Sequence, residues 1–249
     1  MATLTVVTTT YNEEAKIAAA LESVRWADEL LVVDGFSQDS TVQIARHYTP
    51  HVFQQPNHPN WNANKNFGFD RARGDWVLSL DADERVTPEL AAELRAVLLT
   101  SPLVGYRLVR QAFFFGRRVR YGGLDGRHLR LFRRGAARFP CRHPHEGLEL
   151  LAGGTVGDLR APLQHDSYDD IADFVRKVNV VTSQEADYLL AQGYRVRPHD
   201  LVLRPLRDVW RRYVRREGYR DGALGLVVAG LYAGYEFLSY AKAWERQTR

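Results

Sequence analysis

The chain reads as an α/β fold whose sheet is mostly parallel, becomes mixed past its first hundred or so residues, and is followed by a C-terminal helical appendage. Three observations predict this. Strand and helix signals alternate through residues 1–101, short strands with glycine turns take over after Pro102, and arginines crowd the last stretch. With 249 residues, 45% of them hydrophobic, the chain can fill one large domain plus an appendage.

Leu4 to Thr8 is a short apolar, β-branched run and therefore a strand. Asn12 is a candidate N-cap for a helix carrying Ile17, Leu21 and Val24 at helical spacing. Leu30 to Val33 is the next strand, and Ser37 to Ser40 opens a second helix through Ile44 and Ala45. A short strand from His51 to Gln54, a third helix from Asn60 to Arg73 and the apolar strand Trp76 to Leu80 complete the series. Right-handed crossovers turn such a rhythm into a parallel sheet with ligands at the strand ends. Thr87-Pro88-Glu89 supplies an N-cap, a first-turn proline and an acid suited to the dipole, launching a helix through Leu90, Leu94, Val97 and Leu98.

Beyond Pro102, strands are predicted at Gly105 to Gln111, Arg117 to Tyr121, His128 to Phe132, Arg138 to Phe139 and Gly154 to Asp158. Asp169 to Leu190 is a long helix with Ile171, Phe174, Val175, Val178 and Val181 on its apolar face. These elements form a main domain over residues 1–197, leaving 198–249 as the appendage. There, Arg207, Arg211 and Arg215 recur at helical spacing among Leu203, Leu206, Val209, Trp210, Tyr213 and Val214, the composition of a basic interfacial helix. Gly222 to Tyr240 is apolar but interrupted by Glu236 and by glycines, which predicts surface docking or a shallow hairpin rather than a membrane span.

The formal net charge is only +4, so the basic charge is local. One cysteine, Cys141, excludes an internal disulfide, and Leu4-Thr5-Val6-Val7 is a strand pattern rather than a cleavable leader; both point to a reducing cytoplasm. Cys141, His143, His145 and His165 have ligand chemistry suited to zinc, but their spacing matches no structural zinc module.

Asp81-Ala82-Asp83-Glu84 sets three carboxylates at the mouth of the Trp76 to Leu80 strand. Like charges this close repel, and taking them out of water is costly unless a positive charge sits among them. Oxygen ligands suit Mg²⁺ or Mn²⁺, ions that commonly bridge to phosphate. Three further segments belong at the same edge: Thr9-Thr10-Tyr11-Asn12-Glu13-Glu14, the loop from Val33-Asp34 to Thr41, and the polar helix face of Asn62, Asn64, Lys65 and Asn66.

These four segments, in this order, resemble the family 2 glycosyltransferases, whose fold is of the GT-A nucleotide-diphospho-sugar type; the match covers roughly the first 180 residues. The resemblance divides the main domain into a nucleotide-binding half, 1–101, and an acceptor half, 102–197. It implies that Thr10, Tyr11 and Glu13 line the nucleotide pocket, that Asp34 accepts from the base, and that Lys65 meets base or phosphate. Asp83 is then the main ligand of a divalent cation, Mn²⁺ or Mg²⁺, with Asp81 on ribose or on the metal through water and His165 completing the metal or diphosphate site. The catalytic base falls to Glu146 in Arg142-His143-Pro144-His145-Glu146-Gly147, with His145 orienting it. This departs from the family's Glu-Asp pair and is similar to a His-Glu version in a subgroup acting on the lipopolysaccharide inner core.

The expected activity is inverting transfer of a hexose, glucose, from a nucleotide-diphosphate sugar, UDP favoured, to a lipid-linked saccharide at the inner face of the cytoplasmic membrane. The appendage would serve peripheral membrane docking or a homodimer contact. Two other classes compete with this reading. A sugar nucleotidyltransferase needs a glycine-rich phosphate loop, and Thr8 to Glu14 has no glycine; a nucleic-acid or other polyanion binder would leave the strand-end carboxylates idle.

Overall fold

The computed structural model describes residues 2–56, 60–143 and 146–249. The chain forms two compact units, one of residues 1–110 and 126–165, the other of 111–125 and 166–249. The expected boundary at 197/198 lies inside the second unit.

The first unit opens with the predicted alternation: β1 (Leu4–Thr10), α1 (Ile17–Ser23), β2 (Glu29–Asp34), α2 (Thr41–Arg46), β3 (Val52–Gln54), α3 (Asn62–Phe69) and β4 (Trp76–Asp81). A three-residue strand β5 (Glu84–Val86) and helix α4 (Pro88–Thr100) follow, then β6 (Gly105–Phe114), β7 (Arg117–Arg118, within the second unit), β8 (Gly126–Arg133), β9 (Ala137–Arg138), β10 (Glu149–Leu150) and β11 (Val156–Tyr168). Among the described residues the main sheet runs β3-β2-β1-β4-β8-β6-β11-β5. β1 pairs in parallel with β2 and β4, and β8 joins β4 antiparallel, so the sheet turns mixed at the predicted place.

Alternation along the strands feeds two faces. Leu4, Val6, Leu78 and Leu80 pack with Leu90 and Leu94 of α4, while Val7, Leu31 and Val77 pack with Phe69 of α3. Thr87 caps α4 as predicted, its hydroxyl accepting from the Leu90 amide at 3.2 Å. Asn12 does not cap α1: it sits at φ +53°, and its side-chain oxygen accepts instead from the Gln38 amide at 2.8 Å. Its own amide donates to Ser37 Oγ at 2.8 Å, so Asn12 ties the first loop to the second. Gly68 lets α3 approach β1 closely, since a Cβ there would lie 2.3 Å from Val7 Cγ1.

In the second unit α5 (Ile171–Ala191) and the long helix α7 (Ala223–Thr248) pack through Phe174, Val178, Leu224 and Val228 at one end and Ala186, Tyr240 and Ala243 at the other. Between them in sequence lie α6 (Asp200–Val209), a π-helical segment (Trp210–Arg215) and a 3-10 turn (Gly218–Asp221). The expected hairpin is absent: α7 is one helix of 26 residues, long and apolar enough by length and composition to cross a membrane, with a third of its most apolar stretch buried inside the structure. Its glycines do not break it. Gly225 is required for packing, because a Cβ there would lie 1.8 Å from the Gly218 carbonyl oxygen.

Candidate active site

Sheet register fixes where the predicted residues meet. Thr10 stands opposite Asp34 and Thr9 opposite Asp81, so the C-terminal ends of β2, β1 and β4 form one row. Asp34, fully buried, accepts from the Ser37 amide at 2.9 Å and hydroxyl, and from Gln54 Nε2 at 3.3 Å, which organises the second loop from below. The Glu13 amide donates to Thr41 Oγ1 at 2.9 Å, joining the two loops again. Tyr11 is 46% exposed beside them, and the buried Thr10 hydroxyl has no hydrogen-bond partner among the described residues.

The crowded carboxylates receive their positive charge from the chain itself. Lys65 Nζ, brought over by α3, lies 2.5 Å from Asp81 Oδ1, and Arg130 of β8 donates through Nη2 to Asp81 Oδ2 at 2.9 Å and to Glu84 Oε1 at 2.8 Å. Glu84, with no solvent exposure, also accepts from the Asp81 amide at 2.9 Å. Burial alone would raise the Asp81 carboxyl, but the charges of Arg130 and then Lys65 overcome it and hold Asp81 far below the usual carboxylate range. The same carboxylates, against burial, hold Arg130 above its ordinary value.

Asp83 points elsewhere. β11 pairs antiparallel with β5, setting His165 opposite Glu84, and the His165 imidazole Nε2 comes to 3.2 Å from Asp83 Oδ2. Two residues 82 positions apart thus meet, both with partly accessible side chains. Carboxylate oxygen and imidazole nitrogen are a donor set that a divalent cation accepts. Each Asp81 oxygen is engaged by Lys65 or Arg130. Among the described residues no group of three His, Cys, Asp or Glu is arranged to hold a metal.

A cavity of about 780 Å³ has Asp81 in its lining. Lys65, Asp81 and Glu146 share its lining; Thr10, Tyr11, Glu13, Asp34, Asp83 and His165 do not border it. The Glu146 carboxylate accepts from the Arg142 amide at 3.1 Å and from the His143 amide at 3.2 Å, so backbone donors rather than an arginine side chain fix its orientation. His145, expected to orient Glu146, lies outside the described residues.

The sequence reading missed the cationic wall of this cavity: Arg107 and Arg110 on β6, and Arg127, His128 and Arg130 on β8. Arg130 carried a usable signal. An arginine inside Leu129-Arg130-Leu131-Phe132 must either point to solvent or find a buried carboxylate, and three carboxylates stood ready at Asp81 to Glu84.

Comparison with known proteins agrees with this architecture. The profile of the family described as "Glycosyl transferase family 2" matches residues 5–145. The "Lipopolysaccharide core biosynthesis glycosyltransferase LpsC" of Rhizobium meliloti is 30% identical over 94% of this chain and 89% of its own length. An uncharacterised glycosyltransferase of Rickettsia typhi is 27% identical over 95% of this chain and 85% of its own. Among solved structures, S. aureus TarS 1-349 in complex with UDP superposes with a TM-score of 0.51 and 16% identity, covering 99% of this chain and 92% of that one. That likeness identifies the GT-A fold.

Proposed function

The chain belongs to glycosyl transferase family 2, and from that premise we propose that it is an inverting, divalent-cation-dependent transferase moving glucose from a UDP-sugar to a lipid-linked saccharide of the lipopolysaccharide inner core. One observation carries the chemistry: Asp83 and His165 meet at 3.2 Å beside the strand-end row, while Lys65, Asp81 and Glu146 line one cavity. The name of the Rhizobium relative supports a lipopolysaccharide acceptor, and TarS, whose structures hold UDP and UDP-GlcNAc, supports a uridine donor.

On this reading Thr10, Tyr11, Glu13 and Asp34 surround the nucleotide, the unpartnered Thr10 hydroxyl being available to it. Asp83 and His165 hold the cation, Mn²⁺ or Mg²⁺, which when bound offsets the negative charge that grows on the leaving diphosphate. Asp81 anchors the Lys65 ammonium at the edge of the acceptor cavity. Glu146, held by two backbone amides, takes the proton from the acceptor hydroxyl at a carboxylate oxygen as that hydroxyl attacks the anomeric carbon. A single displacement of this kind inverts the anomeric configuration.

The test is turnover of a UDP-sugar with product analysis. Asp83→Ala should lower turnover by at least about a hundredfold, in line with the several kcal/mol such an ion supplies, while circular dichroism stays unchanged. Unchanged turnover removes Asp83 from the site, and a product whose anomeric NMR coupling shows retention overturns the single displacement.

The second unit supports a membrane-proximal acceptor. Leu203, Leu206, Trp210 and Val214 are 58%, 60%, 55% and 51% exposed at helical spacing, and Arg207 and Arg215, which flank them, have no ion pair among the described residues. An apolar stripe edged by free arginines suits an anionic lipid surface. A homodimer through the same stripe would set the two copies' arginines against each other.

A further inference from the structure

Beyond Arg130, the cationic wall of the 780 Å³ cavity is not needed to balance the donor-end carboxylates. Lys65 and Arg130 already answer Asp81 and Glu84 at 2.5–2.9 Å. Arg110 adds a further charge to the same Glu84 oxygen, at the longer distance of 3.9 Å, and its buried Nε has no hydrogen-bond partner among the described residues. Arg107 and Arg127 share one carboxylate, Asp158, at 2.9 and 3.6 Å, and both keep about half of their side-chain surface in contact with solvent. Glu146 is the remaining carboxylate on the lining, and it is engaged by the Arg142 and His143 amides.

The surplus sits on two paired strands. β6 and β8 pair antiparallel with Arg107 opposite Leu129, Leu108 opposite His128 and Val109 opposite Arg127, so Arg107 and Arg127 share one face of the pair and Arg110 and His128 the other, and all four border the cavity. His128 reports the resulting field. The residue is exposed as a whole, yet loss of water around its ring, then the charges of Arg110 and Arg130, push its imidazole down to about 4, leaving a neutral hydrogen-bonding group at pH 7. A concave wall of one charge sign attracts a ligand of the other, and the planar fork of arginine matches the oxygens of phosphate and carboxylate.

We propose that Arg107, Arg110 and Arg127, with His128, form an anion subsite for a phosphate or carboxylate group carried by the acceptor saccharide, separate from the site of the donor diphosphate. The word acceptor rests on the transferase reading; the anion site itself does not. It selects acceptors by charge at a point on the same cavity as Glu146, so a neutral sugar of the same shape would be held less well beside the base.

Isothermal titration of the full chain with inorganic phosphate, and in a second arm with acetate, tests this with and without saturating UDP and Mg²⁺. The expected result is phosphate or acetate binding that survives UDP saturation and weakens at least tenfold in Arg110→Gln and in the double variant Arg107→Gln/Arg127→Gln, with Arg110→Lys retaining part of it. Preference for phosphate identifies a phosphoryl substituent on the acceptor, and preference for acetate a carboxylate. Equal affinity in all variants overturns the subsite, as does phosphate binding that vanishes once UDP is bound, because the cations would then serve the donor. Failure of UDP to bind counts against the donor reading alone; the titrations of the free protein still decide the subsite through the same variants. Unchanged circular dichroism and melting temperature in the variants exclude unfolding as the cause of a loss.

Discussion

Arg130 shows how a single residue links stability to the site. It is 8% exposed in its side chain and bridges Asp81 to a Glu84 that has no exposure at all. Replacing it with an apolar residue of similar length leaves a buried carboxylate without its partner, which costs about 3–5 kcal/mol. Arg130→Met should therefore lower the urea midpoint by that equivalent, and a loss under about 1 kcal/mol would mean that water already screens the pair. The pH dependence has a definite sign. Asp81 is depressed in the folded state, so its contribution is present above the unfolded carboxylate value and is lost only as pH falls toward its lowered folded value. Without Arg130 that depression shrinks, and acid unfolding of the variant should begin at higher pH than in the parent. The sequence announced this residue only indirectly. Crowded acids at Asp81 to Glu84 predicted a positive charge, but the protein supplies Lys65 and Arg130 where a metal alone was expected, because the pairing of β8 with β4 is a long-range contact that leaves no local periodicity to read.

At the scale of elements, α3 matters because its helix axis sets Lys65. Gly68, one turn beyond Lys65, faces Val7 of β1 so closely that an added methyl would sit 2.3 Å from a buried side chain. Gly68→Ala gains about 1 kcal/mol of helix propensity but overpacks a filled core by about 1–3 kcal/mol. Net destabilisation in urea is expected, together with reduced turnover as Lys65 is pushed from Asp81; a stabilised and fully active variant would show that α3 shifts freely. The stripe across α6 and the π-helical segment makes a separate prediction. Binding to phosphatidylcholine vesicles should rise when phosphatidylglycerol is added, fall about tenfold or more in Leu206→Ser or Trp210→Ser, and fall about fivefold in Arg207→Gln. Binding that ignores both the lipid charge and these substitutions would exclude docking by this face. The elements legible from sequence were those with local signals: the βα alternation, the Thr87 cap and the 3.6-residue stripes. β5 escaped because three residues inside an acidic turn carry no period, and β11 was read only at its start because Arg160, Gln164, His165 and Asp166 interrupt its apolar alternation. That pairing of β5 with β11 is what carries His165 to Asp83.

Over the whole molecule, every residue proposed for donor, cation and base belongs to the first compact unit, and the exposed apolar stripe belongs wholly to the second. The chain alternates between the units at 110/111, 125/126 and 165/166, so neither is a contiguous segment that composition could have delimited, and the sequence suggested one boundary near residue 197 instead. Ligand linkage then gives a global test of the proposed site. A donor that binds only the folded protein, supplied at a hundredfold its dissociation constant, adds about 2.7 kcal/mol of stability. For a chain of this size that corresponds to a rise in melting temperature of about 5–10 °C. UDP with Mn²⁺ should produce such a rise, UDP alone a much smaller one, and Asp83→Ala or His165→Ala should make the metal-dependent part disappear. GDP, CDP and TDP tested in parallel read out the base, because Thr10, Tyr11 and Asp34 sit at strand ends where a pyrimidine ring and a purine ring make different contacts. A shift that is equally large without metal would remove the cation from the donor site while leaving the nucleotide pocket intact, and no shift with any of the four would remove the pocket itself.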